Sequence, residues 1–245
     1  MDLSKMTAKE KKELLQNLEE LDRRQTYNHL AYMYPATGKL SRDKYPKHLE
    51  FFRLGKDFNE RALLGGNRSG KSYAGSYEDV LHLTGRYPDW WQGRKFDYPI
   101  SLWSCGDTGK TLKDIAQTTL LGPPGQTDVQ GTGMIPQECI IKTTNRMGTP
   151  DAIESVFVKH ISGGTSILQF KAYEQGREAY QGTTTDVIHL DEEAPMDIYV
   201  ECLLRTLTCD GIIYLTATPL LGLTDLMLAF LPEMQPAPEM KAIIE

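Results

Sequence analysis

The stretch GGNRSGKS at 65–72 follows a short apolar run, RALLGG at 61–66, and precedes an amphipathic segment. It fits the pattern GxxxxGK[ST] at every fixed position, between a predicted strand and a predicted helix as that pattern requires. Backbone amides at the start of such a helix form a positively polarised nest for phosphate oxygens. The stretch therefore predicts a P-loop that binds a nucleoside triphosphate.

Two side chains of this loop have separate roles in the predicted site. We expect the Lys71 ammonium to neutralise the β- and γ-phosphates of ATP, and the Ser72 hydroxyl to be a ligand of Mg²⁺. The residues predicted to bind ATP are Gly65, Gly66, Asn67, Arg68, Ser69, Gly70, Lys71 and Ser72.

Outside the loop, short apolar runs alternate with segments of helical periodicity. Runs at 61–66, 99–104, 186–193 and 211–219 predict strands, and segments 70–84, 108–120 and 196–207 predict helices. Strands that alternate with helices are typical of an α/β fold with a mostly parallel sheet flanked by helices. We expect residues 45–245 to form this P-loop ATPase domain.

Three segments depart from that alternation. Residues 1–44 are predicted to be an N-terminal helical arm, with a helix at 5–34 opened by a Thr7–Glu10 capping box, followed by a turn-rich connector. Leu14, Leu18 and Leu21 lie on one face of that helix, which is expected to pack on the domain or on a partner. Residues 121–150, rich in Gly, Pro, Thr and Gln, predict a long surface excursion, and 155–173 predicts an inserted β-hairpin that turns at Gly163 and Gly164.

The run VIHLDEE at 187–193 ends in carboxylates, as a hydrolytic P-loop protein requires at the end of a second strand. We assign Asp191 to Mg²⁺ and the adjacent Glu192 to the catalytic base that orients and deprotonates the attacking water. Glu193 is expected to be a solvated neighbour.

The next predicted strand ends in TATP at 216–219. Because ligands bind at the carboxyl edge of an open α/β sheet, Thr216 and Thr218 are predicted to contact the γ-phosphate, with a plain strand-ending turn as the alternative. Hydrolysis also calls for a guanidinium that stabilises the transition state. Arg68 is the first candidate and Arg177 the second, and either could instead form a structural ion pair.

Aromatic residues at 45–52 lie upstream of the P-loop, near the expected base-binding edge of the site. Tyr45 is the candidate for stacking on adenine, with Phe51 and Phe52 nearby. A position in the hydrophobic core is the alternative for all three.

Composition limits the class of protein. With 40% hydrophobic residues the chain can bury a large core, and 27 Lys and Arg against 33 Asp and Glu give a net charge of −6. DNA binding would therefore need a local basic patch, for which the candidates are Arg86, Arg94, Lys95, Lys110, Lys113, Lys142 and Arg146, although scattered basic residues usually only keep a surface solvated. The four widely spaced cysteines predict buried small hydrophobes without zinc, and the lack of a long apolar run predicts a soluble, intracellular protein.

Together these motifs resemble the large terminase subunits of tailed bacteriophages and prophages. The segments that carry the resemblance are YPKHLEFF at 45–52, GGNRSGKS at 65–72, the stretch 82–100, GTGMIP at 131–136, the stretch 170–195, and LTATPLLGL at 215–223. The resemblance implies a RecA-like (ASCE) ATPase domain that powers the translocation of double-stranded viral DNA. It also implies a pentameric ring on the portal of the procapsid and a small terminase subunit as partner.

The sequence departs from the family pattern in two places. His48 stands where many relatives have a glutamine, which leaves adenine recognition open. The family also has a C-terminal metal-dependent nuclease, for which residues up to Glu245 leave no room, so no nuclease activity is expected from this chain. The alternatives that remain are a RecA-like core of a superfamily 2 helicase, since DE and TATP motifs occur there too, and a nucleotide-binding scaffold that does not hydrolyse ATP.

Overall fold

The computed structural model describes residues 7–219, 222, 224–230 and 241–244. Within them, a single sheet has the strand order β3-β4-β5-β2-β6-β7-β1-β8. Its strands are β1 Glu60–Leu64, β2 Ser101–Gly106, β3 Ile140–Asn145, β4 Ile153–Lys159, β5 Thr165–Ala172, β6 Val187–Asp191, β7 Ile212–Ala217 and β8 Lys241–Ile244.

Helices connect and cover these strands. They are α1 Ala8–Tyr27, α2 Pro46–Leu54, α3 Lys71–Thr84, α4 Gly109–Thr111, α5 Thr118–Leu121, α6 Met196–Thr206 and α7 Asp225–Leu228. A π-helical segment, Leu112–Gln117, joins α4 to α5. Among the described residues, no helix is both long and apolar enough to cross a bilayer.

The central strands are parallel, as predicted. Strand β1 pairs with β7 and β8, β7 with β6, β6 with β2, and β2 with β5, all in parallel. The register aligns Asp191 with Thr216, and Leu64 with Ala217. The loops that follow β1, β6 and β7 therefore leave the sheet at the same edge, which brings the P-loop, the carboxylates and the TATP segment together.

Side chains alternate between two core layers, as the period of two in a strand requires. Leu63, Val187 and Tyr214 belong to the layer that contains residues of α3, whereas Leu64 and Leu190 belong to the layer that contains residues of α6. The P-loop helix and the helix after the carboxylates thus cover opposite faces of the sheet.

The N-terminal helix is shorter than predicted. The capping box of Thr7 and Glu10 is present, but α1 ends at Tyr27 instead of residue 34, and residues 5 and 6 lie outside the described residues. A 3-10 turn, His29–Tyr32, follows, and its Leu30 is buried in the core. Leu18 and Leu21 are 52% and 50% exposed and Leu14 is half-buried, so most of the leucine face of α1 is not covered by the described residues.

The predicted surface excursion at 121–150 is wrong in its second half. Residues 140–145 form β3, which pairs antiparallel with β4, and Met134, Ile135 and Cys139 are buried. The prediction took every glycine of this stretch as a sign of a loop, but Gly133 is required for close packing. A Cβ on Gly133 would lie 2.5 Å from the backbone of Leu120 and Leu121.

The predicted hairpin is confirmed, since β4 and β5 pair antiparallel across a turn in which Gly163 has a φ of 99°. The cysteines are confirmed in part. Cys105, Cys139 and Cys202 are buried free thiols, whereas Cys209 is half-buried.

Candidate functional site

The P-loop runs from the end of β1 to the first residue of α3. Its turn needs two residues of positive φ, Arg68 at 63° and Gly70 at 85°. The Lys71 ammonium donates hydrogen bonds to Gly66 O at 2.9 Å and to Thr218 Oγ1 at 3.0 Å, so it lies across the mouth of the loop. Burial lowers the pKa of Lys71, against the opposing charges of Glu192 and Asp191. Lys71 and Glu192 both bond to Thr218, and Asp191 pairs in register with Thr216, so the two carboxylates and the lysine lie at the same edge of the sheet.

Glu192 is held at the same edge by the segment after β7. It is exposed and has a φ of 62°, a conformation that is costly for a residue with a Cβ and is concentrated at functional sites. Its backbone N–H donates to Thr216 O at 2.9 Å, and its Oε2 accepts from the backbone N–H of Thr218 at 3.2 Å. Thr218 Oγ1 in turn donates to Asn67 Oδ1 at 3.1 Å. Glu192, Thr218 and the P-loop thus form one hydrogen-bonded group.

Asp191 is supported from behind by Thr216, a neighbour on the adjacent strand. The Thr216 hydroxyl donates to Asp191 Oδ1 at 2.7 Å and also lies 2.8 Å from His189 Nε2. Thr216 is completely buried, so it stands behind Asp191, while Thr218 is the threonine that lies against Lys71. The two threonines predicted to act together therefore occupy different places.

A buried polar cluster continues inward from Thr216. His189 Nδ1 lies 2.8 Å from Asp79 Oδ2, and the Tyr214 hydroxyl donates to Asp79 Oδ1. Burial alone would lower the pKa of His189, but the charge and hydrogen bond of Asp79 together with Asp191 raise it overall. Asp79 lies on α3, so the cluster joins the P-loop helix to β6 and β7.

The donors at this edge suit Mg²⁺. No group of three or more His, Cys, Asp or Glu side chains that could hold a metal occurs in the described part of the chain. Mg²⁺ commonly binds through one or two carboxylates together with substrate phosphates and water, so a caged site is not required. Asp191 is half-buried, its Oδ1 is oriented by Thr216, and the half-buried Ser72 follows Lys71 in the first turn of α3. These residues fit the ion that the P-loop motif implies.

The two candidate arginines are placed differently. Arg68 is exposed in the P-loop turn and lines the cavity beside it. Arg177 Nε donates to Glu201 Oε2 at 2.9 Å, and Arg205 on the same helix, α6, bonds to the other oxygen of Glu201. Glu201 is buried, so Arg177 is tied to α6 within its own chain.

A cavity of about 340 Å³ opens beside the P-loop. The loop contributes Arg68 to Gly70 to its wall, and Tyr45, His48 and Tyr73 line it as well. Tyr45 stacks on His48, with ring centroids 5.3 Å apart and planes 20° apart. Phe51 and Phe52 are core residues instead, 0% and 1% exposed, and they are absent from this cavity.

His48 supports the P-loop. Its Nδ1 accepts from the Tyr34 hydroxyl at 2.8 Å, and its Nε2 donates to Ser69 O at 3.2 Å. Burial lowers its pKa, against the opposing effect of the Ser69 carbonyl, which agrees with a neutral ring that accepts at one nitrogen and donates at the other. Both nitrogens are thereby used by the protein.

The seven candidate DNA-contacting residues do not form one surface. Arg94 bonds to Asn59 and Asp210, which precede β1 and β7 and so lie at the edge opposite the P-loop, and Arg86 pairs with Glu138. Lys110 and Lys113 follow β2, and a Cβ on Gly109 would lie 3.5 Å from Arg146. Lys110, Lys113 and Arg146, here called the basic corner, therefore lie close together. Lys142 stacks on Phe157, and Lys95 on Tyr87.

Sequence reasoning missed several residues that orient the site. His189 and Asp79 were not singled out, although a histidine inside the apolar run VIHLD is a signal of a buried polar contact. The Tyr173 hydroxyl donates to the carbonyl oxygens of Asp191 and Glu192 at 3.2 and 3.3 Å. The expectation of a solvated Glu193 is wrong, because its carboxylate is half-buried and accepts from Thr224.

Comparisons with known proteins identify relatives of this chain. The family model described as "Terminase large subunit, T4likevirus-type, N-terminal" matches residues 62–245. The large terminase subunit of Salmonella phage P22 is 35% identical over 246 aligned residues, which cover 94% of this chain and 48% of that protein. The chain thus spans about half the length of that relative.

Two solved structures of the large terminase from a thermophilic bacteriophage are also similar. One matches with 13% identity and a TM-score of 0.49 over 70% of this chain and 38% of that chain. The other, described as a complex with ADP, matches with 14% identity and a TM-score of 0.49 over 71% of this chain and 38% of that chain.

Proposed function

Because the chain belongs to the family of T4-like-virus-type terminase large subunits, we propose that it hydrolyses ATP with Mg²⁺ to power DNA packaging. The resulting work is the translocation of double-stranded viral DNA into a procapsid. The observation that carries the proposal is that Lys71, Asp191 and Glu192 lie at one edge of the sheet, joined through Thr216 and Thr218. A lysine for phosphate, a carboxylate for metal and a second carboxylate for water are the parts that such hydrolysis needs.

Each side chain has a defined task in the proposed reaction. Lys71 leaves Gly66 O and Thr218 Oγ1 to bind the β- and γ-phosphates, and Ser72 and Asp191 would hold Mg²⁺. Mg²⁺, when bound, neutralises charge on the phosphate oxygens. Glu192 accepts a proton from the water that attacks the γ-phosphorus, and the bond to the ADP oxygen breaks. Thr218 contacts the γ-phosphate once Lys71 has moved.

The cavity beside the P-loop is the proposed place of the adenosine. Its wall includes Tyr45 and Tyr73 as aromatic surfaces, while both nitrogens of His48 are bonded to Tyr34 and Ser69. We therefore assign base binding to stacking and shape, with His48 acting on the P-loop. This assignment accounts for a histidine at the position where many relatives have glutamine.

The experiment that tests the function is Glu192→Gln. Replacing the proposed base should lower turnover at least about 100-fold, within the range of general base catalysis, and leave nucleotide binding intact. Phosphate release measures turnover, and titration with a slowly hydrolysed ATP analogue measures binding. Glu178→Gln is the control, because Glu178 is an exposed glutamate remote from the P-loop in sequence. Unchanged hydrolysis by Glu192→Gln would remove this mechanism and favour the scaffold alternative.

The partners follow from membership of the family and are proposals for this chain. They are double-stranded DNA, the portal protein of the procapsid, the small terminase subunit, and further copies of the chain in a pentameric ring, in the cytoplasm of the bacterial host. The family match favours packaging over a superfamily 2 helicase core. Absence of DNA-stimulated hydrolysis in a full-length protein would contradict the motor role.

A further inference from the structure

Behind the proposed metal carboxylate lies a hydrogen-bonded series of three polar side chains that the reaction itself does not use. Asp79, His189 and Thr216 are 0%, 2% and 0% exposed, and they connect α3 to Asp191 in that order. The successive contacts are 2.8 Å from Asp79 Oδ2 to His189 Nδ1, 2.8 Å from His189 Nε2 to Thr216 Oγ1, and 2.7 Å from Thr216 Oγ1 to Asp191 Oδ1. Buried polar groups are costly unless they are paired, and each group of this series has a partner, so the series is a stable part of the core.

The chain of contacts has a direction. A threonine hydroxyl has one hydrogen, and the carboxylate of Asp191 can only accept it. Once Thr216 donates to Asp191, its oxygen can only accept from His189 Nε2. With Nδ1 donating to Asp79 as well, the arrangement is that of the imidazolium, the form of histidine in which both ring nitrogens donate. Asp79 is itself oriented by the Tyr214 hydroxyl. Each donor therefore has one acceptor, and the end of the chain is the oxygen that orients the proposed Mg²⁺ ligand.

The side of the His189 ring that faces α3 is closely packed. Gly75, on α3 one turn after the P-loop, faces the imidazole so closely that a Cβ there would lie 2.4 Å from His189 Cε1 and Nε2 and 3.1 Å from Thr216 Cγ2. The helix that begins with the phosphate-binding lysine is thus in contact with the support of the metal carboxylate. A displacement of α3 must move this support as well.

We propose that Asp79 and His189 are positioning residues that act through Thr216 to hold Asp191 for Mg²⁺, and so make metal binding depend on the seating of the P-loop helix. This inference rests on the proposed function, because it assigns Mg²⁺ to Asp191. Residues that orient metal ligands typically change metal affinity by about 10- to 100-fold when they are replaced. Asp79 and His189 touch no substrate in this arrangement.

The experiment measures how Mg²⁺ changes nucleotide affinity in the purified chain. A slowly hydrolysed ATP analogue is titrated in EDTA and then over a series of Mg²⁺ concentrations. Thr216→Val removes the hydroxyl at nearly constant shape, and it should raise the Mg²⁺ concentration needed for half of the affinity gain by about tenfold. Affinity in EDTA should stay at the wild-type value, because Lys71 and the loop amides are untouched.

Two substitutions of His189 test separately its contact with Asp79 and its contact with Thr216. Asparagine places its amide near the position of Nδ1, so His189→Asn keeps the bond to Asp79 and removes the bond to Thr216. Glutamine places its amide near Nε2, so His189→Gln keeps the donor to Thr216. The Mg²⁺ requirement should rise for His189→Asn as it does for Thr216→Val, and rise less for His189→Gln.

Two controls distinguish positioning from stability. Thr216→Ser keeps the hydroxyl and should restore the wild-type Mg²⁺ dependence. Thr206→Val removes a buried hydroxyl that, within the described part of the chain, bonds to carbonyls of its own helix, α6, and it should leave Mg²⁺ dependence unchanged. A wild-type Mg²⁺ requirement in Thr216→Val and His189→Asn, or an equal loss of affinity with and without Mg²⁺, would overturn the inference alone. A wild-type chain whose nucleotide affinity does not respond to Mg²⁺ would overturn the proposed function with it.

Discussion

At the scale of single residues, the two candidate arginines differ in their contacts. Arg68 occupies the positive-φ turn of the P-loop and is exposed beside the cavity, whereas Arg177 is bound to the buried carboxylate of Glu201. A guanidinium that stabilises the transition state has to reach the γ-phosphate. Arg68 lies in the phosphate-binding loop of its own chain, while Arg177 would first have to leave Glu201.

We therefore predict that Arg68→Ala lowers turnover at saturating ATP by about 1,000-fold, the lower end of the range for arginine fingers. ATP binding should weaken far less. Arg177→Ala is the matched comparison and should leave the turnover of dilute chain near the wild-type value. Phosphate release at several protein concentrations provides the measurement. A large loss for Arg177→Ala that appears only at high concentration would instead assign the finger to a neighbouring copy.

Gly75 shows how one missing Cβ permits the packing of the site. Alanine is the better helix former by about 1 kcal/mol, so helix propensity alone predicts that Gly75→Ala stabilises the chain. The overlap of a new Cβ with His189 reverses the sign, because overpacking of a core costs about 1–3 kcal/mol. We predict a net loss in the free energy of unfolding, measured by urea denaturation.

Gly66→Ala is the control for this prediction, since a Cβ there meets nothing within 4 Å and the residue does not have a positive φ. Its free energy of unfolding should match that of the wild type. A Gly75→Ala chain more stable than the wild type would show that His189 can move away at little cost.

At the scale of elements, strand β1 and helix α3 are joined by a buried ion pair. Arg61 and Glu78 are both 0% exposed and lie 2.8 Å apart, and His82 also bonds to Glu78. The Arg61 guanidinium additionally donates to Phe51 O at 2.7 Å and lies over the ring of Phe51. The element that carries the P-loop lysine is thereby anchored to the strand that precedes the loop.

This pair makes stability depend on pH. Burial alone would raise the pKa of Glu78, but the charge of Arg61, with His82 and their hydrogen bonds, lowers it below 4.5. A carboxylate whose pKa is lower in the folded state contributes stability above its unfolded pKa and loses it as the pH falls. We expect this contribution to be complete at pH 7 and to decline below about 4.5.

Glu78→Gln should therefore lower the free energy of unfolding by about 3 kcal/mol at pH 7, because it leaves Arg61 buried without a charged partner. The difference from the wild type should shrink as the pH falls below about 4.5. Urea denaturation at neutral and acidic pH tests both statements. Glu20→Gln, which removes an exposed glutamate bonded to Arg23 and Arg24, is the control and should show no comparable loss.

At the scale of the whole molecule, charge is distributed unevenly over a chain of net −6. Arg86 and Arg94 are paired with Glu138 and Asp210, so they offer little free positive charge. Lys110 and Lys113 of the basic corner follow β2, and Arg146 follows β3. Because β2 is parallel to β1, the carboxyl end of β2 lies at the same edge of the sheet as the P-loop. This position makes the basic corner the better candidate for contact with a DNA backbone.

We predict that replacing Lys110, Lys113 and Arg146 together by Gln weakens binding of duplex DNA and reduces its salt dependence. Removal of each phosphate contact should lower the slope of log affinity against log salt by about 0.9. Fluorescence anisotropy with a labelled duplex over a range of salt concentrations measures both effects. The double variant Arg86→Gln with Arg94→Gln should leave the slope unchanged, and the reverse pattern would move the DNA to the opposite edge.

The parts of this protein that could be predicted from sequence are those whose residues are contiguous. The loop at 65–72, the DEE after β6 and the capping box of Thr7 and Glu10 each combine their chemistry within a few residues. The main strands and helices followed from periodicity, because a period of two or 3.6 reflects which face of an element is buried. Strand β3 was not predicted, because its six residues, IIKTTN, have no periodic pattern. Their pairing with β4 decides their conformation.

Sequence alone thus determined the P-loop turn and the adjacent pair of carboxylates after β6, since local motifs encode both the backbone turn and the polar groups. Only the tertiary structure decided how those groups are held. His189 contacts Asp79 across 110 positions and Thr216 across 27, and Arg61 pairs with Glu78 across 17. Such contacts depend on strand order and on the register of β6 with β7, which no local pattern records. The separate places of Thr216 and Thr218 likewise follow from the tertiary structure, because Thr216 is completely buried and Thr218 is the one of the two threonines that bonds to Lys71.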